Sequence, residues 1–228
     1  MARSEMDRET LRARKGGPTL PFVTISREAG AGGRSLGKQL VAHLNQTRHQ
    51  GPQWELYDQR LVEQVSQEHH LPPEWVDMLE ERDFSWLSDL FAGLYLRGDT
   101  EINEFIVYRR VSETIRRLAR RGNVVIVGRG GAYITADLRE AVHIRLVAPR
   151  PGPIGNLVRR RGLDRDEAEY EMERLDENRR SFYSRYWPGR TQGPENYTVT
   201  LNTHNLADQT MVRSVMPLLE EARAAVSA

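Results

Sequence analysis

A chain of 228 residues, 39% hydrophobic and 29% charged, carries enough apolar material for one sizeable core, and its 33 basic against 32 acidic residues exclude the broad positive field that drives nonspecific nucleic-acid binding. The absence of cysteine excludes disulfides, a thiolate nucleophile and Cys-ligated zinc, and no apolar run approaches a membrane span or a signal-peptide core. A cytoplasmic protein with no membrane or nucleic-acid partner is the expectation. Lys15 and Lys38 are the sole lysines, so almost every cation is an arginine.

Residues 1–20 are charged, contain Lys15-Gly16-Gly17-Pro18 and lack apolar periodicity, which predicts a flexible tail before a single domain over 21–228. Pro21 to Ile25 is a β-branched and aromatic run, the pattern of a buried first strand. The glycine-rich stretch Gly30-Ala31-Gly32-Gly33-Arg34-Ser35 follows. Leu36, Leu40, Val41 and Leu44 then recur at helical spacing, predicting a helix that starts near Gly33. Trp54 to Tyr57 reads as a second strand ending at Asp58, with Leu61, Val62 and Val65 on the helix after it.

From Leu71 to about Gly98 the pattern is mixed, and residues 71–108 are expected to form a helical insertion. Ile102 to Arg121 is a long helix whose paired arginines (Arg109-Arg110, Arg116-Arg117, Arg120-Arg121) mark a solvated face. Val124 to Val127 is a buried strand, with Gly128-Arg129-Gly130-Gly131 opening a loop at its carboxyl end. Val142 to Val147 and Tyr197 to Leu201 are the fourth and fifth strands, the last helix begins near Leu206, and residues 150–194 form an arginine-rich helical region. Strands separated by helices predict a parallel five-stranded α/β sheet covered on both faces, with ligands at the carboxyl ends of its strands.

The helical stripe after the loop fixes the loop's phase. Gly32 to Lys38 matches a phosphate-loop pattern literally, but that register buries the loop inside the helix and leaves Gln39 where a hydroxyl belongs. With Gly30, Ala31 and Gly32 as the bend, Arg34 and Ser35 fall in the first helical turn, where free N–H groups and the helix dipole favour a phosphate. The lysine that the pattern places after its last glycine is replaced by Gly33. Arg129 suits an anion at a strand end, or an exposed turn. Asp58 fits a helix N-cap as well as a ligand contact. Asp176, Arg179, Arg180, Arg185 and Arg190, interleaved with Tyr183 and Tyr186, suit either a solvated face or a ligand-facing one. The histidines have no zinc-ligand spacing.

Ile25-Ser26-Arg27-Glu28 leading to Gly30-Ala31-Gly32-Gly33-Arg34, the pair Tyr57-Asp58, the run Val125 to Gly130, and Arg179 with Phe182-Tyr183 together resemble the cytidylate-kinase-like family of P-loop nucleoside monophosphate kinases, from about Phe22 to Met216. The resemblance implies a P-loop kinase sheet with a helical acceptor insertion and a helical lid, ATP and Mg2+ as cofactors, and a small-molecule nucleotide substrate, CMP-like in character. It implies that Gly30, Ala31, Gly32 and Gly33 shape the loop, that Arg34 touches donor phosphates and that Ser35 meets the metal. Arg129, Asp176 and Arg179 would hold the acceptor with Asp58 on the same side, and Arg159, Arg160 and Arg180 would belong to the lid. Arg34, Arg129 and Arg179 are the residues it nominates for catalysis. The chain departs from true cytidylate kinases at Gly33 in place of the lysine, at Gly130 in place of the aspartate of a glycine-arginine-aspartate motif, and at Val127 in place of an acid. A nucleotide- or phospholigand-binding protein without transfer, and a kinase of another small molecule, are the alternatives.

Overall fold

The computed structural model describes residues 20–47, 51–70, 104–190 and 192–227. The expected tail up to residue 19 and most of the expected insertion, residues 71–103, lie outside the described residues. In chain order the elements are β1 (Phe22–Arg27), α1 (Gly33–Gln46), β2 (Glu55–Tyr57), α2 (Gln59–His69), α3 (Glu104–Arg121), β3 (Val124–Val127), α4 (Gly131–Ile134), β4 (Ala141–Val147), α5 (Pro151–Arg161), α6 (Arg165–Tyr186), a 3-10 turn (Pro194–Asn196), β5 (Val199–Asn202) and α7 (Asp208–Ser227).

The strands form one sheet in the order β2-β3-β1-β4-β5, and every neighbouring pair is parallel. β1 is central, flanked by β3 through Val23 opposite Val125 and by β4 through Val23 opposite Val142. A strand in that position is covered on both faces, which is why Phe22 to Ser26 are all buried. On one face Val23, Ile25, Val125, Val127 and Leu201 pack with Leu36 and Leu40 of α1 and with Met211, Val215 and Leu219 of α7. On the other, Phe22, Tyr57, Val124 and Ile126 pack with Leu61 and Val65 of α2 and Val111, Ile115 and Leu118 of α3. The period of two along each strand divides these cores.

α5 and α6 have a smaller core of their own, in which Ile154, Leu157, Ala168, Met172 and Leu175 enclose Ala29 of the glycine loop. A capping box starts α6: Asp164 Oδ1 accepts from Glu167 N–H at 2.8 Å, and Glu167 Oε2 accepts from Asp164 N–H at 2.9 Å. β5 begins at Val199 rather than at Tyr197, because the Pro194–Asn196 turn reaches Tyr197, whose N–H bonds Pro194 O at 3.0 Å. The arginine pairs of α3 form the expected polar face, bonded to Glu113, Asp137, Glu68 and Glu55. Among the described residues, no helix is long and apolar enough to cross a membrane.

Candidate functional site

β1 connects through α1 to β2 on one side, whereas β3 crosses past β1 to β4 on the other, and the connections part at the carboxyl edge of the sheet beside β1. The glycine loop lies there. Gly30 (φ +69) and Gly32 (φ +83) both adopt the left-handed conformation that other residues rarely hold. Their surroundings differ. A Cβ at Gly30 would stand 2.7 Å from Pro153, whereas one at Gly32 would meet no atom within 4 Å. Gly30 is thus moulded against α5, where Asn156 Nδ2 also donates to its carbonyl at 3.0 Å. Gly32 is the N-cap of α1 and offers no side-chain cap to the helix, so the first-turn N–H groups of Gly33, Arg34 and Ser35 face a space suited to an anion.

Arg34 crosses to the next strand, its Nε 3.0 Å from Asp58 Oδ2. Asp58 therefore does not cap α2, although it occupies the N-cap position. Ser35 Oγ donates to Asp208 Oδ2 at 3.2 Å, and Gln39 Nε2 bonds the same carboxylate oxygen. The first turns of α1 are joined in this way to β2 on one side and to the start of α7 on the other.

The region of Asp176 and Arg179 is not a solvated face. Asp176 Oδ1 accepts from Ala29 N–H at 2.7 Å and lies 3.3 Å from Arg179 Nη1. The Arg179 side chain is 12% exposed and Asn178 is buried. A cleft of about 420 Å3 opens between the loop and the helical pair, lined among others by Glu28, Arg150, Asp176, Glu177 and Arg180. Arg159 is exposed on α5 and donates to Asn156 Oδ1 at 2.6 Å. Arg160 belongs to α5, but its side chain lies outside the described ones. A second cleft, between the carboxyl halves of α1 and α7, is lined by Leu44, Trp54 and Met216 at the opposite edge of the sheet.

Arg129 is only 5% exposed, which removes the reading of an exposed turn. It sits at φ +53 between Gly128 (φ +79) and Gly130 (φ +68), three left-handed residues in succession at the end of β3. A Cβ at Gly130 would stand 2.1 Å from the Trp187 ring, so Gly130 admits that indole against the loop. Trp187 belongs to an aromatic cluster with Tyr108, Tyr133, Phe182, Tyr183 and Tyr186. Burial pushes the phenol of Tyr133 in this cluster above its ordinary pKa, keeping it neutral.

The structure thus joins Arg34 to Asp58, and Asp176 to both Arg179 and the loop. Residues that sequence reasoning missed are Asp208, Asn156 and Trp187, each distant in sequence from the group it touches, and Gln39, which meets Asp208 across the fold. Gln39, one helical turn after Ser35, was the one legible hint.

A parallel sheet with β1 at its centre, a glycine loop feeding an uncapped helix, and a helical pair closing over that loop define a P-loop-kinase-like α/β protein. The chain belongs to the cytidylate kinase-like family, whose family model matches residues 22–205. Among solved structures it is similar to an uncharacterized protein from Eubacterium ventriosum, with 17% identity, coverage of 88% of this chain and 98% of that chain, and a TM-score of 0.63. Shikimate kinase from Bacteroides thetaiotaomicron has 17% identity, coverage of 88% and 98%, and a TM-score of 0.49. Deoxyadenosine kinase from M. mycoides with bound dATP has 13% identity, coverage of 87% and 99%, and a TM-score of 0.45. No curated protein matches the chain.

Proposed function

We propose that the chain is a phosphotransferase that moves the γ-phosphoryl group of ATP to a CMP-like nucleoside monophosphate in the cytoplasm. The observation that carries this reading is the open, left-handed Gly32 in front of the uncapped amino end of α1, with arginine-carboxylate pairs on both flanks. Family membership supports the kinase class. Phosphoryl transfer needs positioning and charge neutralisation more than a covalent nucleophile, and arginines with backbone amides supply both.

In this reading the loop from Gly30 to Gly33 cradles donor phosphates and Arg34 neutralises them. Arg129 and Arg179 grip the acceptor phosphate, with Asp58 and Asp176 on the acceptor side. Arg159, Arg160 and Arg180 belong to the lid. The Ser35 hydroxyl, beside the Asp208 carboxylate at 3.2 Å, fits a magnesium ion that keeps water and phosphate ligands. Such an ion supplies neutralisation of phosphate charge.

Two observations favour different second readings. Gly33 in place of a lysine and Val127 in place of a strand-end acid favour a nucleotide-binding sensor without transfer. Gly130, where an aspartate stands in true cytidylate kinases, favours a kinase of another small molecule. ADP release from magnesium-ATP, measured with a panel of nucleoside monophosphates and small hydroxyl-bearing metabolites, separates the three. Repeated turnover with CMP that is lost in Ser35→Ala supports the nucleotide kinase. Turnover with a different acceptor moves the activity to that substrate, and thermal stabilisation by ATP without turnover supports the sensor.

A further inference from the structure

β1 and α1 run in opposite directions across the glycine loop, and their side-chain rows are in step. Residues two apart in a strand are separated by about 6.6 Å and residues four apart in a helix by about 6 Å. Gly37 accordingly lies over Ile25 and its strand neighbours Val127 and Leu56, and Gly33 faces Arg27. A Cβ on Gly37 would stand 3.7 Å from Ile25 Cδ1, with Leu56 Cδ1 at 2.8 Å and Val127 Cγ2 at 3.3 Å on the flanking strands, and one on Gly33 would stand 3.1 Å from Arg27 Cδ, 3.2 Å from Cγ and 3.4 Å from Cβ. Arg27 shares a strand face with Val23 and Ile25, which pack beneath α1, and it is itself half-buried. A side chain leaving position 33 would therefore enter the volume that the Arg27 stem fills.

We propose that Arg27 takes the part of the absent loop lysine, its guanidinium meeting the β- and γ-phosphates of the donor nucleotide, and that position 33 is glycine to make room for it. This rests on the nucleotide-binding reading above. An arginine suits the task, because its fork can hold two phosphate oxygens at once and its charge is permanent. The neighbouring Glu28 directs its carboxylate to Ala148 N–H at 3.1 Å and towards Arg145 at 3.7 Å.

The test is calorimetric titration of the full chain with magnesium-ATP and with AMP, with thermal melting to verify the fold. Arg27→Met keeps an unbranched stem over Gly33 and removes the charge; it should weaken ATP by about 10- to 100-fold, the scale of a charge-assisted hydrogen bond, and leave AMP unchanged. Gly33→Lys alone should bind ATP poorly, since the new side chain meets Arg27. The double variant Arg27→Ala with Gly33→Lys should recover most of the lost affinity. Wild-type binding with an insensitive Arg27→Met, or a double variant no better than Arg27→Ala alone, would overturn the role of Arg27 and leave the nucleotide site standing. A wild-type protein that does not bind ATP overturns the nucleotide-binding reading and this proposal with it.

Discussion

Arg34 Nε and Asp58 Oδ2, 3.0 Å apart, connect the first turn of α1 with the residue that follows β2. The two side chains are 47% and 21% exposed, so solvent screens the pair and its contribution to folding is expected to stay below about 1 kcal/mol. Asp58→Asn should therefore leave the urea midpoint nearly unchanged while raising KM for the acceptor. A loss of several kcal/mol on urea titration would make the pair a structural element instead.

Gly32 separates local strain from ligand approach. Gly32→Ala places its methyl group where nothing lies within 4 Å, so the fold should lose only the left-handed strain of about 1–2 kcal/mol. ATP affinity should fall much further, since a phosphate at the amino end of α1 approaches the backbone closely. ATP affinity in Gly32→Ala and Gly32→Val equal to that of the wild-type protein by calorimetry would take the loop out of the site.

Asp176 and Arg179 should part company under mutation. Arg179→Lys keeps the charge but loses the fork, and should cost about 1.5 to 3 kcal/mol in acceptor affinity with little change for ATP. Asp176→Ala strands the Ala29 N–H, which it accepts at 2.7 Å, and should cost about 1–3 kcal/mol of stability while weakening the donor as well. Parallel titrations of both variants with ATP and CMP check the distinction.

His143 gives a pH dependence of stability. Its Nδ1 lies 2.8 Å from Thr24 Oγ1, and burial lowers its pKa from 6.5 to about 4. Between those values the unfolded chain binds a proton that the folded chain excludes, so stability is full above the unfolded pKa and is lost as pH falls towards 4. Urea titrations at pH 7 and pH 5 should differ by on the order of 2 kcal/mol from this residue. His143→Gln should flatten that difference.

The sheet was legible wherever a local period carried it. The run Val124 to Val127 is the observed β3, and the stripe Leu36, Leu40 placed the start of α1 correctly at Gly33. Local patterns failed where a distant partner decided the matter. Asp58 fits an N-cap as well as a ligand contact until Arg34 is folded beside it, and Arg129 suits an anion site or an exposed turn until the fold buries it. Asp176 meets the loop 147 positions away, and Ser35 meets Asp208 across 173. No spacing rule spans such separations; the β-strand order does, and it became available only with the fold.

The α5–α6 pair is fastened near its start by Asn156 on Gly30, midway by Asp176 on Ala29, and at its end by Trp187 on Gly130. A gate swinging on one hinge needs one loose edge, and this pair is tethered along its whole length. Rotation of the pair as a unit has to break these contacts or carry the loops with it. On the nucleotide-binding reading proposed above, admission of the ligand would move these loops together with the helices, so that every movement of the cover is also a movement of the floor.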